Sequence, residues 1–227
     1  MATLKGNVLG KIRGKVGTVS GRVRNGKNYL VSLPASFNAP TDPLSIARRE
    51  KFKMAVLFAK AVNNDSLLKS IWKKQNTENR TVFNLVMQKN YKLLENNSPS
   101  NQNIITPELG FNPNYSSADY SDGVITIITN NLSDTLTIDP AVETGITATG
   151  FIYADDPNSG NVELYNFYNF SASPQAIDLA QPMTFTITLP YIQKMQLGNY
   201  QTIKIYSVLI TLNDELSPVQ YSLTSVN

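Results

Sequence analysis

Two stretches carry residue types whose spacing could do chemistry, and each stops short of doing it. Gly21-Arg-Val-Arg-Asn-Gly26-Lys27-Asn28 has the G-x-x-x-x-G-K spacing of a phosphate-binding loop. Such a loop wraps backbone N–H groups around phosphate oxygens, and a Ser or Thr after the Lys holds Mg²⁺. Asn28 stands at that position, the residues before Gly21 are Gly-rich and polar, and Tyr29-Leu30-Val31 ahead of Pro34 does not read as a helix. The stretch therefore reads as part of a basic arm. Asp155-Asp156-Pro157-Asn158-Ser159-Gly160 sets two carboxylates beside an amide. Ca²⁺ takes about six to eight oxygens, and this stretch lacks the spaced acidic set and distal Glu of an EF-hand. It reads as a hairpin turn.

Other clusters resolve into structure first. Lys69, Lys73 and Lys74 surround Trp72, a combination found on nucleic-acid-binding surfaces. Helical spacing turns Trp72 inward with Leu67, Leu68 and Ile71, and leaves the lysines in water. Tyr165, Phe167, Tyr168 and Phe170 fall in alternating pairs on the two faces of a strand. One pair is expected in the core, the other in a subunit contact or a carbohydrate platform. Asn79-Arg80-Thr81 and Asn169-Phe170-Ser171 match the glycosylation acceptor pattern, and read as coincidence without a signal segment.

The 227 residues include neither His nor Cys. That removes disulfides, thiolate nucleophiles, Cys/His zinc sites and every triad built on an imidazole base. The acidic residues beyond position 96 are scattered, so no acid/base pair stands out. We assign no catalytic residue, cofactor or metal ligand, and expect no enzyme.

Charge is segregated along the chain. Residues 1–95 carry 18 Lys and Arg against 5 Asp and Glu, a net of +13, whereas residues 96–227 carry 2 against 12, a net of −10. Seven basic residues (Lys5, Lys11, Arg13, Lys15, Arg22, Arg24, Lys27) precede the first acidic one, Asp42. Such a split points to an anionic partner for the basic half.

The elements that must hold these residues follow from pattern. Six glycines lie between Gly6 and Gly26, among Val8, Ile12, Val16, Val19 and Val23. Interior glycines each cost a helix about 1 kcal/mol, so residues 1–41 are expected as an extended basic arm with strand pieces at Val16–Val23 and Tyr29–Ser32. Asp42-Pro43 opens a helix, as N-cap and N1. Its apolar stripe is Phe52, Ala55, Ala59 and Val62, widened by Leu44, Val56 and Phe58. A second helix starts near Asp65 and a third runs from about Thr81 to Leu94, completing a helical region over 42–95. Residues 96–103 (NNSPSNQN) read as a linker. Strands are expected at 124–129, 135–138, 146–153, 162–170, 183–189, 202–212 and 219–226, which over 104–227 suggests an antiparallel, immunoglobulin-like β-sandwich. The fold class is α+β. The longest apolar run, Met54 to Ala59, falls far short of the about 20 residues of a membrane span. No apolar segment follows the N-terminal cations, so we expect no Sec signal and no membrane span.

Gly14-Lys-Val-Gly-Thr-Val-Ser-Gly, then Asn25-Gly-Lys-Asn-Tyr-Leu-Val-Ser-Leu-Pro, Pro40 and Ala47-Arg-Arg-Glu-Lys-Phe resemble a family of short Bacteroidota proteins known as a domain of unknown function. That family has a G-K-V-G-x-V-x-G arm, a segment ending in L-P, and a helix with an A-x-x-x-K/R-F pattern. The resemblance is best over residues 6–60. At Arg22 to Lys27 the family has a Trp-Lys-Gly stretch that this chain lacks. The resemblance implies a bacterial origin and an immunoglobulin-like C-terminal region, and carries over no functional residue.

The resulting expectation is a structural, self-assembling subunit of a phage particle or bacterial filament. Lys5, Lys11, Arg13, Lys15, Val16, Val19, Arg22, Val23, Arg24 and Lys27 would make its subunit or nucleic-acid contacts. Partners would be further copies of the chain, forming a homo-oligomer or polymer, and nucleic acid through the basic half. It would be made in the cytoplasm and end in a virion or extracellular assembly. The alternatives are a nucleic-acid-binding protein acting through arm and helices, and an adhesin or carbohydrate-binding module acting through the sandwich.

Overall fold

The computed structural model describes residues 2–3, 13–24, 26–32, 39–76, 80–160 and 162–227. The chain divides into two compact units, residues 1–45 and 46–227.

The first unit is a small antiparallel sheet. Strands β1 (Ala2–Thr3), β2 (Gly14–Val16), β3 (Val19–Arg24) and β4 (Lys27–Ser32) lie in the order β1-β4-β3-β2. Two-residue turns make it. Val16 pairs with Val19 across Gly17-Thr18, and Gly17 has φ +57°, the positive φ that a type II′ turn needs at its first central position. Arg24 pairs with Lys27 across Asn25-Gly26, with Gly26 at φ +75°. Asn-Gly between two strands is the strongest short-range hairpin signal. The described part of residues 1–41 is thus a folded meander rather than an extended arm, and the expected piece Val16–Val23 is split by a turn. The G-x-x-x-x-G-K stretch spans an antiparallel hairpin, not the strand-to-helix junction a phosphate loop requires. Lys5 and Lys11 lie outside the described residues, as do Leu33-Pro34 and Asn79.

The second unit mixes helices and antiparallel sheets, an α+β arrangement. Helices α1 (Pro43–Asn64, whose first three residues belong to the first unit), α2 (Ser66–Lys74) and α3 (Val82–Tyr91) come first. Then follow β5 (Tyr115–Ser121), β6 (Val124–Thr129), β7 (Gly145–Pro157), β8 (Tyr165–Ser171), β9 (Thr184–Thr188), α4 (Tyr191–Leu197), β10 (Tyr200–Leu212), β11 (Pro218–Tyr221) and β12 (Ser225–Val226). One sheet runs β11-β10-β7-β8, with β12 also on β10, and the other runs β5-β6-β9.

Side chains cap all three helices, at the Asp42 cap read from the sequence and at the expected starts near Asp65 and Thr81. The Asp42 carboxylate accepts from Ser45 N at 2.9 Å, Asp65 Oδ1 accepts from Leu67 N and Leu68 N at 2.8 and 3.0 Å, and Thr81 Oγ1 accepts from Asn84 N. Asp65 works twice: its second oxygen accepts from Thr149 Oγ1 at 2.5 Å, tying the start of α2 to β7. The buried stripe of α1 is Met54, Ala55, Phe58, Ala59, Ala61 and Val62. Phe52 and Leu44, expected inside, are 52% and 69% exposed.

The larger sheet is covered on both faces, which explains why β7 is almost continuously buried. Ile146, Ala148, Ile152 and Ala154 of β7 join Ile125, Ile127, Phe185 and Ile187 of the smaller sheet in one apolar cluster. Phe151 and Tyr153, on the other face, join Phe58, Leu68, Ile71 and Trp72 of the helices in a second. Phe58 meets Phe151 edge-on at 5.1 Å and Tyr206 at 5.5 Å. β10 approaches β7 so closely that a Cβ at Gly150 would stand 1.9 Å from the Tyr206 carbonyl oxygen.

Residues 96–103 do not act as a loose linker. Asn103 Nδ2 donates to Asn90 Oδ1 at 2.9 Å, Ile104 N donates to the same oxygen at 2.8 Å, and Asn90 Nδ2 donates to the Ile104 carbonyl at 2.9 Å. Tyr206 Oη donates to the Ser100 carbonyl at 2.8 Å. Buried polar groups must be paired, and here the pairing fixes an apparently irregular segment onto α3 and β10. Two expectations fail locally. Residues 135–138 form no strand, because Leu136 N bonds back to the Leu132 carbonyl at 2.9 Å in a turn whose leucines are buried. β5 and α4 were not expected: β5 reads YSSADYS, with little apolar alternation, and α4 is only 7 residues long.

Candidate interaction surfaces

The register of the first unit sorts its side chains by chemistry. Residues paired directly across antiparallel strands project to the same face, and successive residues alternate. Val16, Val19, Gly21, Val23, Asn28 and Leu30 share one face, through the pairs Val16↔Val19, Gly21↔Leu30 and Val23↔Asn28. Lys15, Ser20, Arg22, Lys27, Tyr29 and Val31 share the other, through Lys15↔Ser20, Ser20↔Val31 and Arg22↔Tyr29. The sheet is therefore amphipathic, with a valine-rich face and a cationic face. Val16 is 76% exposed; Val19, Val23 and Leu30 are half-buried, whereas Lys15, Arg22 and Lys27 are exposed. Arg13, just before β2, is exposed too. Arg24 pairs with Lys27 at the hairpin end. Of the ten residues assigned to contacts, the eight from Arg13 to Lys27 lie on this sheet or at its edge. The turn pairs that would have revealed the two faces are Gly17-Thr18 and Asn25-Gly26.

Residues 1–45 carry seven basic residues and one acidic one. That one, Asp42, is engaged by the Ser45 hydroxyl and by the Ser45 N–H of its N-cap bond, which together hold its carboxyl below the ordinary aspartate value. Residues 46–227 carry 13 basic and 16 acidic residues, with eleven of the basic ones before position 96.

Within the second unit, Trp72 is core: it is 2% exposed, and its Nε1 donates to the Ile105 carbonyl at 2.8 Å. It is not available to stack on a base. Lys69 and Lys73 are exposed beside it, and Lys74 Nζ donates to the Pro218 carbonyl. Both aromatic pairs of β8 are used inside: Tyr168 and Phe170 in the cluster between the sheets, Tyr165 and Phe167 against the helix-side cluster. No pair is left as a platform. Asn169 Nδ2 donates to the Ala61 carbonyl at 2.9 Å, so that acceptor site is engaged with α1.

A cleft of about 510 Å³ opens where the α1 side meets the end of β7, lined in part by Glu50, Lys53, Asn97, Asp155, Asp156 and Tyr165. Its polar groups are largely committed to one another. Tyr153 Oη donates to Asp155 Oδ2 at 2.5 Å, Asp156 N donates to Asp155 Oδ1 at 2.8 Å, and Asn97 Nδ2 donates to Glu50 at 3.3 Å. Lys53 Nζ stands 5.6 Å from the Tyr165 ring centre. Burial, reinforced by the bond to Asp155, pushes the Tyr153 phenol far above its ordinary value. These bonds tie α1, residues 97–98 and the end of β7 together. Among the described residues no group of three or more carboxylates is gathered for a metal ion, and no helix is long and apolar enough to cross a membrane.

One apolar patch of this unit is uncovered. On α4, Tyr191, Ile192 and Met195 are 73%, 69% and 56% exposed, beside the Lys194–Asp122 ion pair at 2.6 Å. No protein-family model matches the chain, and no curated protein is significantly similar to it.

Proposed function

We propose that the protein is a non-enzymatic structural subunit that assembles through its N-terminal sheet. The observation that carries this is the amphipathic sheet itself. A single four-stranded layer cannot bury its apolar face without a second layer, and on this face Val16 is 76% exposed while Val19, Val23 and Leu30 are only half-buried. The valine-rich face then finds its cover on another copy. The exposed Tyr191, Ile192 and Met195 on α4 make a fitting counterpart. Such a contact joins two different surfaces, so repeated copies form rings or open filaments. A phage particle or a bacterial filament is the setting this suits, and the N-terminal motifs fit the Bacteroidota family resemblance. The two antiparallel sheets around one apolar cluster support reading the β-rich region as an immunoglobulin-like sandwich, here with helices added to the outer face of its larger sheet.

The test is negative-stain electron microscopy of the full chain and of a chain lacking residues 1–41, each with and without nuclease. Regular particles or filaments are expected from the full chain, surviving nuclease and absent from the deletion. Small uniform species from the full chain, or assemblies that dissolve with nuclease, would refute the reading.

A further inference from the structure

We propose that the cationic face of the N-terminal sheet binds single-stranded nucleic acid, with Tyr29 stacking on a base and Lys15, Arg22 and Lys27 holding phosphates. This is independent of the assembly reading, which uses the opposite face. Register places Arg22 directly across from Tyr29, and Lys27 two residues from Tyr29 along the same strand. Neighbouring strands are about 4.8 Å apart and alternate residues along a strand about 7 Å apart, so the half-buried tyrosine lies among cations on one face of the sheet. Single-strand binders combine these same two parts: a positive track for the backbone and an aromatic on which any base can stack. Arg22, beside the ring, can add its own planar contact to a base.

Charge and shape select this partner over others. The only carboxylate in residues 1–45 is Asp42, and it caps α1, so the unit has no spare acid to neutralise the face. An acidic protein surface would answer the lysines and arginine but leave the tyrosine without a matching group. A duplex fits poorly. Three strand spacings make the sheet roughly 14 Å wide, broader than the about 12 Å major groove that admits a helix or a two-stranded ribbon.

The experiment is fluorescence anisotropy of a labelled oligothymidylate with the full-length protein over a range of salt concentrations. Affinity is expected to fall steeply with salt. R22A/K27A should reduce the steepness of log K against log salt by about 1.4, two phosphate contacts at about 0.7 each. R22K/K27R should keep it. Tyr29→Ala should weaken binding by about tenfold or more at every salt concentration, with the slope unchanged. Tyr29→Phe should bind like the wild type, which separates stacking from a general loss of folding. Four results would overturn the proposal: no binding at low salt, equal affinity for a blunt duplex, Tyr29→Ala no weaker than Tyr29→Phe, or R22A/K27A abolishing assembly while leaving oligonucleotide binding intact.

Discussion

The two units solve the same problem, covering a sheet, in opposite ways. The sheet of β7, β8 and β10 is sealed on both faces, by helices on one side and by β5, β6 and β9 on the other. Buried polar pairs tie the surrounding elements together: Asn90 with Asn103, Tyr206 with the Ser100 carbonyl, and Asp65 with Thr149. The sheet of β2, β3 and β4 sorts its side chains by face instead, with half-buried valines on one and exposed cations on the other. In the proposed reading, residues 46–227 supply most of the stability and the α4 surface, and residues 1–45 supply the sheet that meets it.

That comparison can be sharpened from the stable side first. Phe58→Ala empties the centre of the aromatic cluster with Phe151, Phe167 and Tyr206. It should cost about 3–5 kcal/mol in denaturant unfolding of the body. A loss under about 1 kcal/mol would mean that the helices do not share a core with the sheet. Asn90→Ala orphans the Ile104 N–H and removes the side-chain donor to the Ile104 carbonyl, while Asn103 Nδ2 keeps only the Asn90 carbonyl. At about 1–3 kcal/mol for each unsatisfied buried group, it should lower the melting temperature and expose residues 96–104 to amide exchange.

Alkaline pH tests the same contrast with a smaller, graded effect. Burial, with the neighbouring Tyr200 hydroxyl, pushes the Tyr168 phenol from 10.0 up to about 12, and burial raises Tyr115, Tyr153 and Tyr206 as well. The folded state then holds protons that the unfolded state releases. The stability these groups contribute is complete below pH 10 and falls as pH rises toward their folded values. Ultraviolet phenolate absorbance should therefore show a late, cooperative rise coincident with unfolding of the body. A simple titration centred at the ordinary tyrosine value would contradict the burial pattern.

How much of this was legible in the sequence differs between the units for a physical reason. Helix starts are local events, so Asp42, Asp65 and Thr81 marked α1, α2 and α3 correctly. Long β-branched runs marked β6, β7, β9 and β10. The second core was hidden, because a strand covered on both faces reads as a hydrophobic run without saying what covers it. β5 escaped because its neighbours in space, not its own residues, make it a strand. In the N-terminal unit, Val16, Val19 and Val23 recur at three and four, which is not strand spacing. A two-residue turn at Gly17-Thr18 restores it: Val16 and Val19 become partners, and Val19 and Val23 fall on one face. Asn25-Gly26 was the visible signal, and its overlap with the G-x-x-x-x-G-K spacing drew attention to phosphate instead. The cationic face could be seen only once both turns were placed.

The most direct measurement of the central claim is sedimentation velocity of the wild type and of V19E/V23E across a range of protein concentrations. Placing two carboxylates on the valine-rich face should leave a monomer at concentrations where the wild type forms large species. Assembly of V19E/V23E indistinguishable from the wild type, or a wild type that stays monomeric throughout, would contradict the claim that this face joins the copies.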